Sequence, residues 1–277
     1  MLTIWYLAND AVTEWVVASM NSLRAVEPDV AVKVIPYDDR IEQLCHLLPR
    51  WNADIVDWPL SDYDALGETV GARPSARGMF RKLALLGLSD GPNLYIDSDT
   101  VILRQLLPFA DAWSESGADL AVADADVPQA FHPGPLAQRT LGFNAGFFIA
   151  RAGLTDLSNL QTLATDALRV VDQFVIENVD QPFFNFVCDE AGWDVRTITQ
   201  LVPGTPYCTW SERAIDPVQP WIHWAGRSLA YDMSHRELWV RWRLEGAAPA
   251  EKARFRLGET RTALKRTVRH LATRRSA

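Results

Sequence analysis

Apolar residues along the chain fall into short continuous runs that alternate with stretches of helical spacing. Residues 2–8 and 30–35 are typical of buried strands, and residues 13–26 between them carry apolar side chains at helical spacing. This alternation predicts β-α-β units and an α/β fold. The same criteria predict strands at 54–56, 93–96, 120–122, 142–150, 194–198 and 220–226. They predict helices after 41 and at 80–88, 106–113, 156–170, 181–188, 237–244 and 250–274. A polar loop is predicted to lead up to residue 78.

The composition is that of an ordinary globular protein, with 48% hydrophobic and 22% charged residues among 277. No apolar run approaches the ~18 residues of a membrane-spanning helix, and the first residues lack the basic and apolar regions of a signal peptide. The three cysteines, Cys45, Cys188 and Cys208, are odd in number and far apart, which indicates neither a disulfide framework nor a metal-binding pair. We therefore expect a cytoplasmic protein.

Charge is distributed unevenly along the chain. Residues 252–277 contain nine Lys or Arg against one acid, whereas the remainder contains 18 basic and 34 acidic residues. The acidic body argues against nucleic acid as its main ligand. We therefore divide the chain into a domain at 1–245 and a basic segment at 246–277.

The C-terminal segment has the pattern of a basic amphipathic helix. Leu257, Leu264, Val268 and Leu271 form a narrow apolar stripe with Arg and Lys around it. Such a helix favours peripheral contact with the anionic inner face of a membrane through residues 250–277. The alternative is a solvated helix that packs on the acidic body.

Two carboxylates directly follow the strand-like run in the sequence NLYIDSD at residues 93–99. Asp97 and Asp99 can turn toward one small volume at the carboxyl end of that strand, where ligands gather in α/β sheets. A divalent cation relieves their repulsion, and oxygen ligands suit Mg²⁺ or Mn²⁺. Asp124 and Asp126 repeat the spacing, but Asp97 directly follows a buried-strand signal. The alternative for the pair is a solvated turn.

The opening β-α-β unit predicts a second group of polar residues at neighbouring strand ends. Asn9 and Asp10 follow the first strand and residues 37–39 follow the second, at a crevice of nucleotide size. Neither GxGxxG nor GxxxxGK[ST] occurs, so the sequence predicts neither a dinucleotide site nor a P-loop.

Four short motifs occur in order along the chain: IDSDT at 96–100, FNAG at 143–146, DQxxxN at 180–185 and HxxG at 223–226. Together they resemble the GT-A glycosyltransferases of family 8, the glycogenin and bacterial lipopolysaccharide galactosyltransferase type, over residues 2–230. The resemblance implies the GT-A nucleotide-diphospho-sugar transferase fold, with a mixed, mostly parallel central sheet flanked by helices. It also implies a metal-dependent, retaining transfer of a hexose from a UDP-sugar to a glycan, a lipid-linked acceptor or another hydroxyl.

The resemblance assigns roles to particular residues. Asp97, Asp99 and His223 would hold the ion, and one imidazole among oxygens suits Mn²⁺ better than Mg²⁺. Asp180 and Gln181 would flank the reacting sugar as the catalytic pair, with Gln181 on the face opposite the leaving group. The remaining matched residues would contact the donor. They are Ala8, Asn9, Asp10 and Asp38 around uracil and ribose, Lys82 at the diphosphate, Asn144 and Ala145 at the sugar, and Ser98, Gly226 and Arg227 as further donor contacts.

Each of three assignments has a structural alternative. His223 would otherwise be a core histidine, Lys82 a surface lysine with a buried stem, and Asp180 a helix N-cap. The chain also departs from the family's pattern. Leu229 stands where members usually carry a Lys that contacts the diphosphate, so either Arg227 makes that contact or the contact is lost. Pro182 stands where many members have an acid or a small polar residue.

Three other classes of protein compete with this interpretation. Asp97 and Asp99 also fit a haloacid-dehalogenase phosphatase, but that class needs a later Lys, and Lys252 and Lys265 both lie in the basic tail. A sugar nucleotidyltransferase would carry a Gly-rich basic loop, which residues 7–10 lack. A GT-A protein that only binds carbohydrate or nucleotide sugar stays open, and metal-dependent donor hydrolysis distinguishes it from an enzyme.

Overall fold

The computed structural model describes residues 2–124, 130–175, 180–205, 215, 218–224 and 233–255. The strands in these ranges are β1 (Thr3–Ala8), β2 (Ala31–Pro36), β3 (Ala53–Ile55), β4 (Asn93–Ile96), β5 (Thr100–Ile102), β6 (Leu120–Asp124), β7 (Phe143–Ala150), β8 (Val195–Thr197) and β9 (Trp221–His223). The α-helices are α1 (Thr13–Val26), α2 (Glu42–Leu47), α3 (Ser61–Thr69), α4 (Leu107–Ser116), α5 (Pro135–Arg139), α6 (Leu157–Ala167), α7 (Asp180–Glu190), α8 (Ile198–Leu201) and α9 (Met233–Arg243). Shorter turns of 3₁₀ helix occur at Asp10–Val12, Leu48–Trp51 and Val171–Gln173, and a longer 3₁₀ segment spans Pro74–Gly87.

Seven strands form one sheet in the order β3-β2-β1-β4-β7-β6-β8. All neighbouring pairs are parallel except those that β7 makes with β4 and with β6, so six strands point one way and β7 opposes them. Every residue of β4 and β7 is buried, as expected for strands covered on both faces. The mixed, mostly parallel sheet is confirmed.

Helices cover both faces of the sheet and form two cores. Because side chains alternate along a strand, Trp5, Leu7 and Tyr95 enter one core, whereas their neighbours Tyr6 and Leu94 enter the other. The first core packs against α3, α6, α7 and the 3₁₀ segment, and the second packs against α1 and α4.

A separate two-stranded ribbon, β5 with β9, lies beside the end of β4. Its antiparallel register pairs Thr100 with His223 and Ile102 with Trp221. Val101 and Ile222 pack with Trp224 in a third apolar cluster that joins α1 to α9. The ribbon therefore carries a residue from late in the chain to the carboxyl edge of the main sheet.

The C-terminal helices are fixed to the domain by charge and aromatic contacts. Arg243 donates to Glu14 on α1 and, over 3.1 Å, to Glu251, while the ring of Phe255 lies 6.1 Å from that of Trp239. Residues 249–255 are helical. Packing thus continues across the boundary predicted at 245, and the rest of the predicted amphipathic helix, 256–277, lies outside the described residues. Within the described part, no helix has the length and apolar character needed to span a bilayer.

Three short elements, β5, α5 and α8, were not predicted, and the segment that ends near residue 88 differs from its prediction. The stretch predicted as a loop before residue 78 contains α3, and the helix predicted at 80–88 is part of the 3₁₀ segment. Gly78 in that segment lies so close to β2's end that a Cβ there would be 2.4 Å from the carbonyl oxygen of Tyr37. This tertiary contact has no signature in local apolar spacing.

Candidate active site

The turn after β4 carries Asp97 and Asp99 at the edge where the parallel strands end. The N–H of Asp97 donates to the carbonyl of Gly146 at 2.8 Å and extends the β4–β7 pairing by one residue. The Thr100 hydroxyl then donates to the Asp97 carbonyl at 2.7 Å and closes the turn. The carboxylates are 29% and 27% exposed, so both are accessible from solvent.

His223 reaches these carboxylates through β9. The Trp224 N–H donates to the Asp99 carbonyl at 3.0 Å, next to the pairing of Thr100 with His223. Nε2 of His223 then lies 3.4 Å from Oδ2 of Asp97 and 3.1 Å from Oδ1 of Asp99, and the imidazole is only 5% exposed. One ligand atom from each of the three residues lies within 4.8 Å of the others.

Neighbouring charges shift the pKa values of His223 and Asp97. Burial alone would lower the pKa of His223, but the Asp99 and Asp97 carboxylates raise it to about 10. Burial alone would raise the pKa of Asp97, but the Lys82 ammonium and the His223 imidazole hold it well below its usual range. In the absence of a metal, a proton on His223 therefore supplies the cation that two neighbouring carboxylates require.

The group also fits a divalent ion. Ligands ~2.1 Å from a shared ion lie up to about 4.2 Å apart, and the distances of 3.4 and 3.1 Å from Nε2 of His223 to the two carboxylates fall within that limit. The space between them depends on Gly146, because a Cβ at that position would lie 2.5 Å from Cε1 of His223 and 2.6 Å from Oδ2 of Asp97. Two carboxylates and one imidazole form a ligand set compatible with Mn²⁺ or Mg²⁺.

Lys82 links this group to the start of α7. Its ammonium is 3% exposed and lies 2.8 Å from Oδ2 of Asp180, 3.0 Å from the carbonyl of Ala145 and 4.0 Å from Oδ1 of Asp97. Burial alone would lower the pKa of Lys82, but the Asp180 and Asp97 carboxylates raise it. Lys82 is thus a buried cation shared by two acids, unlike a surface lysine.

The first turn of α7 faces the entry of β7. Oε1 of Gln181 accepts from the N–H of Ala145 at 3.4 Å, and Nε2 of Gln181 is buried without a partner among the described residues. Asn185 holds the two elements together through both main-chain groups of Phe143, at 2.9 and 3.0 Å. Oδ1 of Asn144 accepts from the N–H of Gly146 at 2.7 Å. A buried amide therefore points an unused donor into this region.

The residues predicted for the nucleotide lie at the ends of β1 and β2. Asn9 donates to Oδ2 of Asp38 at 2.8 Å, and the buried Ala8 accepts the N–H of Tyr37 at 2.8 Å. Asp10 instead caps α2, since its two oxygens accept the N–H groups of Gln43 and Leu44. Asn9 and Asp38 thus form one polar group with Arg40, whose main-chain N–H and guanidinium also donate to the Asp38 carboxylate, and the Asp10 carboxylate supports a helix.

Tyr37 connects the nucleotide side to the sugar side. Its hydroxyl donates to the Ser75 carbonyl. Burial has the largest effect in raising the pKa of Tyr37, and the charges of Asp180 and Asp38 raise it further. The two predicted subsites are therefore within electrostatic reach of one another.

The remaining predicted donor contacts are Ser98, Gly226 and Arg227. Ser98 is half-buried in the turn between Asp97 and Asp99. Gly226 and Arg227 lie outside the described residues.

Tyr95 was not predicted as a site residue, and the place of Gly146 beside the metal ligands was not predicted either. Tyr95 is buried on β4 and its hydroxyl donates to Oδ1 of Asp97, while burial and the Asp97 charge keep the pKa of Tyr95 well above its usual range. The signal for Tyr95 was its place two residues before Asp97, which puts both side chains on the same face of the strand. Gly146 was visible only as a small residue of the FNAG motif.

Three glycosyltransferases are among the solved structures similar to this chain. Galactosyltransferase LgtC, in complex with donor and acceptor sugar analogues, matches 90% of this chain and 98% of its own, with a TM-score of 0.64 at 15% identity. Glycosyltransferase GlyE from Streptococcus pneumoniae TIGR4 matches 87% and 60%, with a TM-score of 0.52 at 13% identity. Mouse xyloside xylosyltransferase 1 matches 71% and 83%, with a TM-score of 0.50 at 14% identity. The sequence itself matches no family model and no curated protein.

The chain therefore has the GT-A glycosyltransferase fold, as its motifs predicted. Almost the full length of LgtC is covered, so the likeness extends over the whole fold. At this level of identity the comparison concerns the fold, and the chemistry has to be argued from this chain's own residues.

Proposed function

We propose that the protein is a metal-dependent retaining glycosyltransferase that moves a hexose from a UDP-sugar to a hydroxyl of a glycan or a lipid-linked acceptor. The observation that carries the proposal is the group of Asp97, Asp99 and His223 at the carboxyl edge of a GT-A sheet. The buried Lys82–Asp180 pair, which lies beside Asp97, and the unused donor of Gln181 would contact the sugar.

In this proposal Asp97, Asp99 and His223 hold Mn²⁺ or Mg²⁺. The bound ion would act as a Lewis acid that offsets the charge developing on the diphosphate leaving group. Asn9, Asp38 and Ala8, which lie together at the ends of β1 and β2, would contact the uridine. Gly226, Arg227 and Ser98 would complete the diphosphate contacts. The Asp10 carboxylate would support the nucleoside side of the site indirectly, through the end of α2 that it caps.

The donor sugar would lie against Asn144, Ala145 and the first turn of α7. Nε2 of Gln181, a buried donor without a partner among the described residues, would gain one from a sugar oxygen. Asp180 would accept from sugar hydroxyls with the lone pairs that Lys82 leaves free. The pair would thus orient the sugar rather than exchange protons with it.

The same pair supports retention of configuration. An inverting transfer needs a carboxylate base on the face opposite the leaving group. Gln181 is an amide, and the Asp180 carboxylate lies 2.8 Å from the Lys82 ammonium, so neither suits that role. A path in which acceptor attack and UDP departure share one face requires neither, and the leaving diphosphate oxygen takes the acceptor's proton.

The product's stereochemistry tests this path. An α-linked UDP-hexose should give an α-linked product by proton NMR of the first-formed material, and Gln181→Ala should lower turnover without abolishing it. A β linkage would show that the residues are wrongly matched and that another acid, such as Asp126, is the base.

Donor hydrolysis tests the function itself. Among UDP- and GDP-sugars, a UDP-hexose should be hydrolysed with Mn²⁺ and spared in the presence of a chelator. Asp99→Asn should lower this activity by about 10- to 1,000-fold, because metal charge stabilisation is worth several kcal/mol. Asp111→Asn, at an exposed acid on α4, is the control. Wild-type turnover and Mn²⁺ dependence in Asp99→Asn would refute the site, and absence of any donor hydrolysis would favour a binding protein.

The proposed membrane contact rests on the charge of the C-terminal segment. Deletion of 256–277 preserves the contacts of Glu251 and Phe255, so the domain should stay folded and hydrolyse donor normally. Binding to anionic vesicles should be lost, and binding by the full chain should weaken with salt, which screens exposed charges beyond ~8–10 Å at 0.1–0.15 M. Unfolding of the truncated protein would instead assign the segment a structural role.

A further inference from the structure

The two oxygens of the Asp97 carboxylate have different neighbours. Oδ1 accepts the hydroxyl of Tyr95 and lies 4.0 Å from the ammonium of Lys82. Oδ2 lies 3.4 Å from Nε2 of His223 and borders the space that Gly146 leaves open. One oxygen is therefore engaged with the core, and the other faces the proposed ion.

The Tyr95 side chain is itself held rigidly. The residue is 1% exposed, and its ring stacks on Phe148 at 5.1 Å with an interplanar angle of 22°. The Lys82 ammonium lies 5.0 Å from the centre of the same ring. A phenol packed in this way has one accessible acceptor for its hydroxyl among the described residues, which is Asp97. Such a donor fixes the rotation of the carboxylate about its Cβ–Cγ bond.

We propose that Tyr95 is a positioning residue that makes Asp97 a one-oxygen ligand, with Oδ2 on the ion and Oδ1 retained by the phenol. The inference rests on the metal site of the proposed function. Donors that bond the non-ligating atoms of a metal ligand fix its orientation, and their loss typically weakens metal binding. A one-oxygen Asp97 also leaves more coordination positions for water and a diphosphate.

Tyr95→Phe removes the hydroxyl and keeps the ring. Mn²⁺ affinity, measured by the electron paramagnetic resonance signal of free Mn²⁺ without any donor, should fall by about 10- to 100-fold. Tyr6→Phe is the control, because Tyr6 is equally buried and bonds Ser19 at 3.1 Å, and its link to Asp97 runs through Ser19 and Thr100 to the main-chain carbonyl rather than to the carboxylate. Both variants should lose stability in urea, but only Tyr95→Phe should lose Mn²⁺ affinity.

The outcomes separate this inference from the proposed function. Unchanged Mn²⁺ affinity in Tyr95→Phe, beside normal binding by the wild type, would overturn the role of Tyr95 and leave the metal site standing. An equal loss in Tyr6→Phe would also overturn it, since general loosening would then explain both. A wild-type protein that binds no Mn²⁺ would overturn the metal site and the inference together.

A measurement on the wild type keeps the proposal testable if Tyr95→Phe fails to fold. A phenol proton bonded to a carboxylate should give a slowly exchanging, downfield NMR signal, which Tyr6→Phe distinguishes from that of the other buried tyrosine. If Oδ1 stays with the phenol, the signal should persist when the protein is saturated with diamagnetic Mg²⁺. Its disappearance on Mg²⁺ addition would show that the ion takes both oxygens and would overturn the proposal.

Discussion

A methyl group at position 146 should separate metal binding from folding. A Cβ on Gly146 would lie 2.5 Å from Cε1 of His223, 2.6 Å from Oδ2 of Asp97 and 2.8 Å from Oδ1 of Asn144. Carbon atoms in contact lie ~3.5–4.0 Å apart, so the imidazole would have to withdraw by about 1 Å. Metal sites require ligand distances within about 0.2 Å of their preferred values. Two of the three proposed ligands would therefore leave their positions.

The magnitudes follow from what the methyl group meets. Its obstacles are the ends of side chains rather than backbone, so the chain should still fold, at an overpacking cost of about 1–3 kcal/mol. Loss of ligand geometry should weaken Mn²⁺ binding by at least about 10- to 100-fold, the range seen when only a supporting residue is lost. Gly146→Ala should thus affect metal affinity more than stability.

Gly117→Ala is the matched control for this experiment. Gly117 ends α4 with φ of 70°, and a Cβ there would meet nothing within 4 Å, so the substitution adds backbone strain of about 1–2 kcal/mol far from the site. Urea unfolding and Mn²⁺ titration of both variants should show similar destabilisation but a loss of affinity only in Gly146→Ala. Wild-type affinity in Gly146→Ala would refute the placement of the ion beside this residue.

Three further predictions concern buried ionisable groups. Lys82→Met should lower the free energy of unfolding, measured in urea, by about 3–5 kcal/mol because it leaves the Asp180 charge unpaired. Adding Asp180→Asn should restore part of the lost stability, and additive losses in the double variant would contradict the pairing. Native Cys188 should resist iodoacetamide while the exposed Cys45 reacts, because burial raises the pKa of Cys188 well above its usual range; equal labelling by peptide mass spectrometry would contradict this. In metal-free protein, the proton on His223 stabilises the fold fully below the unfolded pKa of about 6.5, and this contribution is lost as the pH rises toward the folded pKa of about 10. The urea midpoint of unfolding should therefore fall between these pH values in the wild type. It should not fall in His223→Gln.

Local sequence signals predicted most of the sheet but not every helix. The apolar runs at 2–8 and 142–150 correspond to β1 and β7, and the helical spacing at 13–26 corresponds to α1. The helix α3 was missed because it buries only Leu66 and Gly67, too few positions to form an apolar stripe. Periodicity reports burial, so a helix that buries little is poorly visible to it.

The candidate site was predictable where its members are close in sequence. Asp97 and Asp99 follow one strand signal, so adjacency alone brings them together. His223 reaches them through the pairing of two three-residue strands, which periodicity cannot register, and only the HxxG motif indicated it. Tyr95 and Gly146 act through packing and close approach, which become visible only when β4 and β7 lie side by side.

The charges around the site explain why this group is consistent with both a metal-free and a metal-bound protein. Without metal, the carboxylates of Asp97, Asp99 and Asp180 face two cations, Lys82 and protonated His223. A divalent ion that displaces the His223 proton makes three positive charges against three negative ones. Lys82 then has little charge to spare, because it already lies 2.8 Å from Asp180. A bound diphosphate would therefore need another cation besides the ion, which supports the role proposed for Arg227.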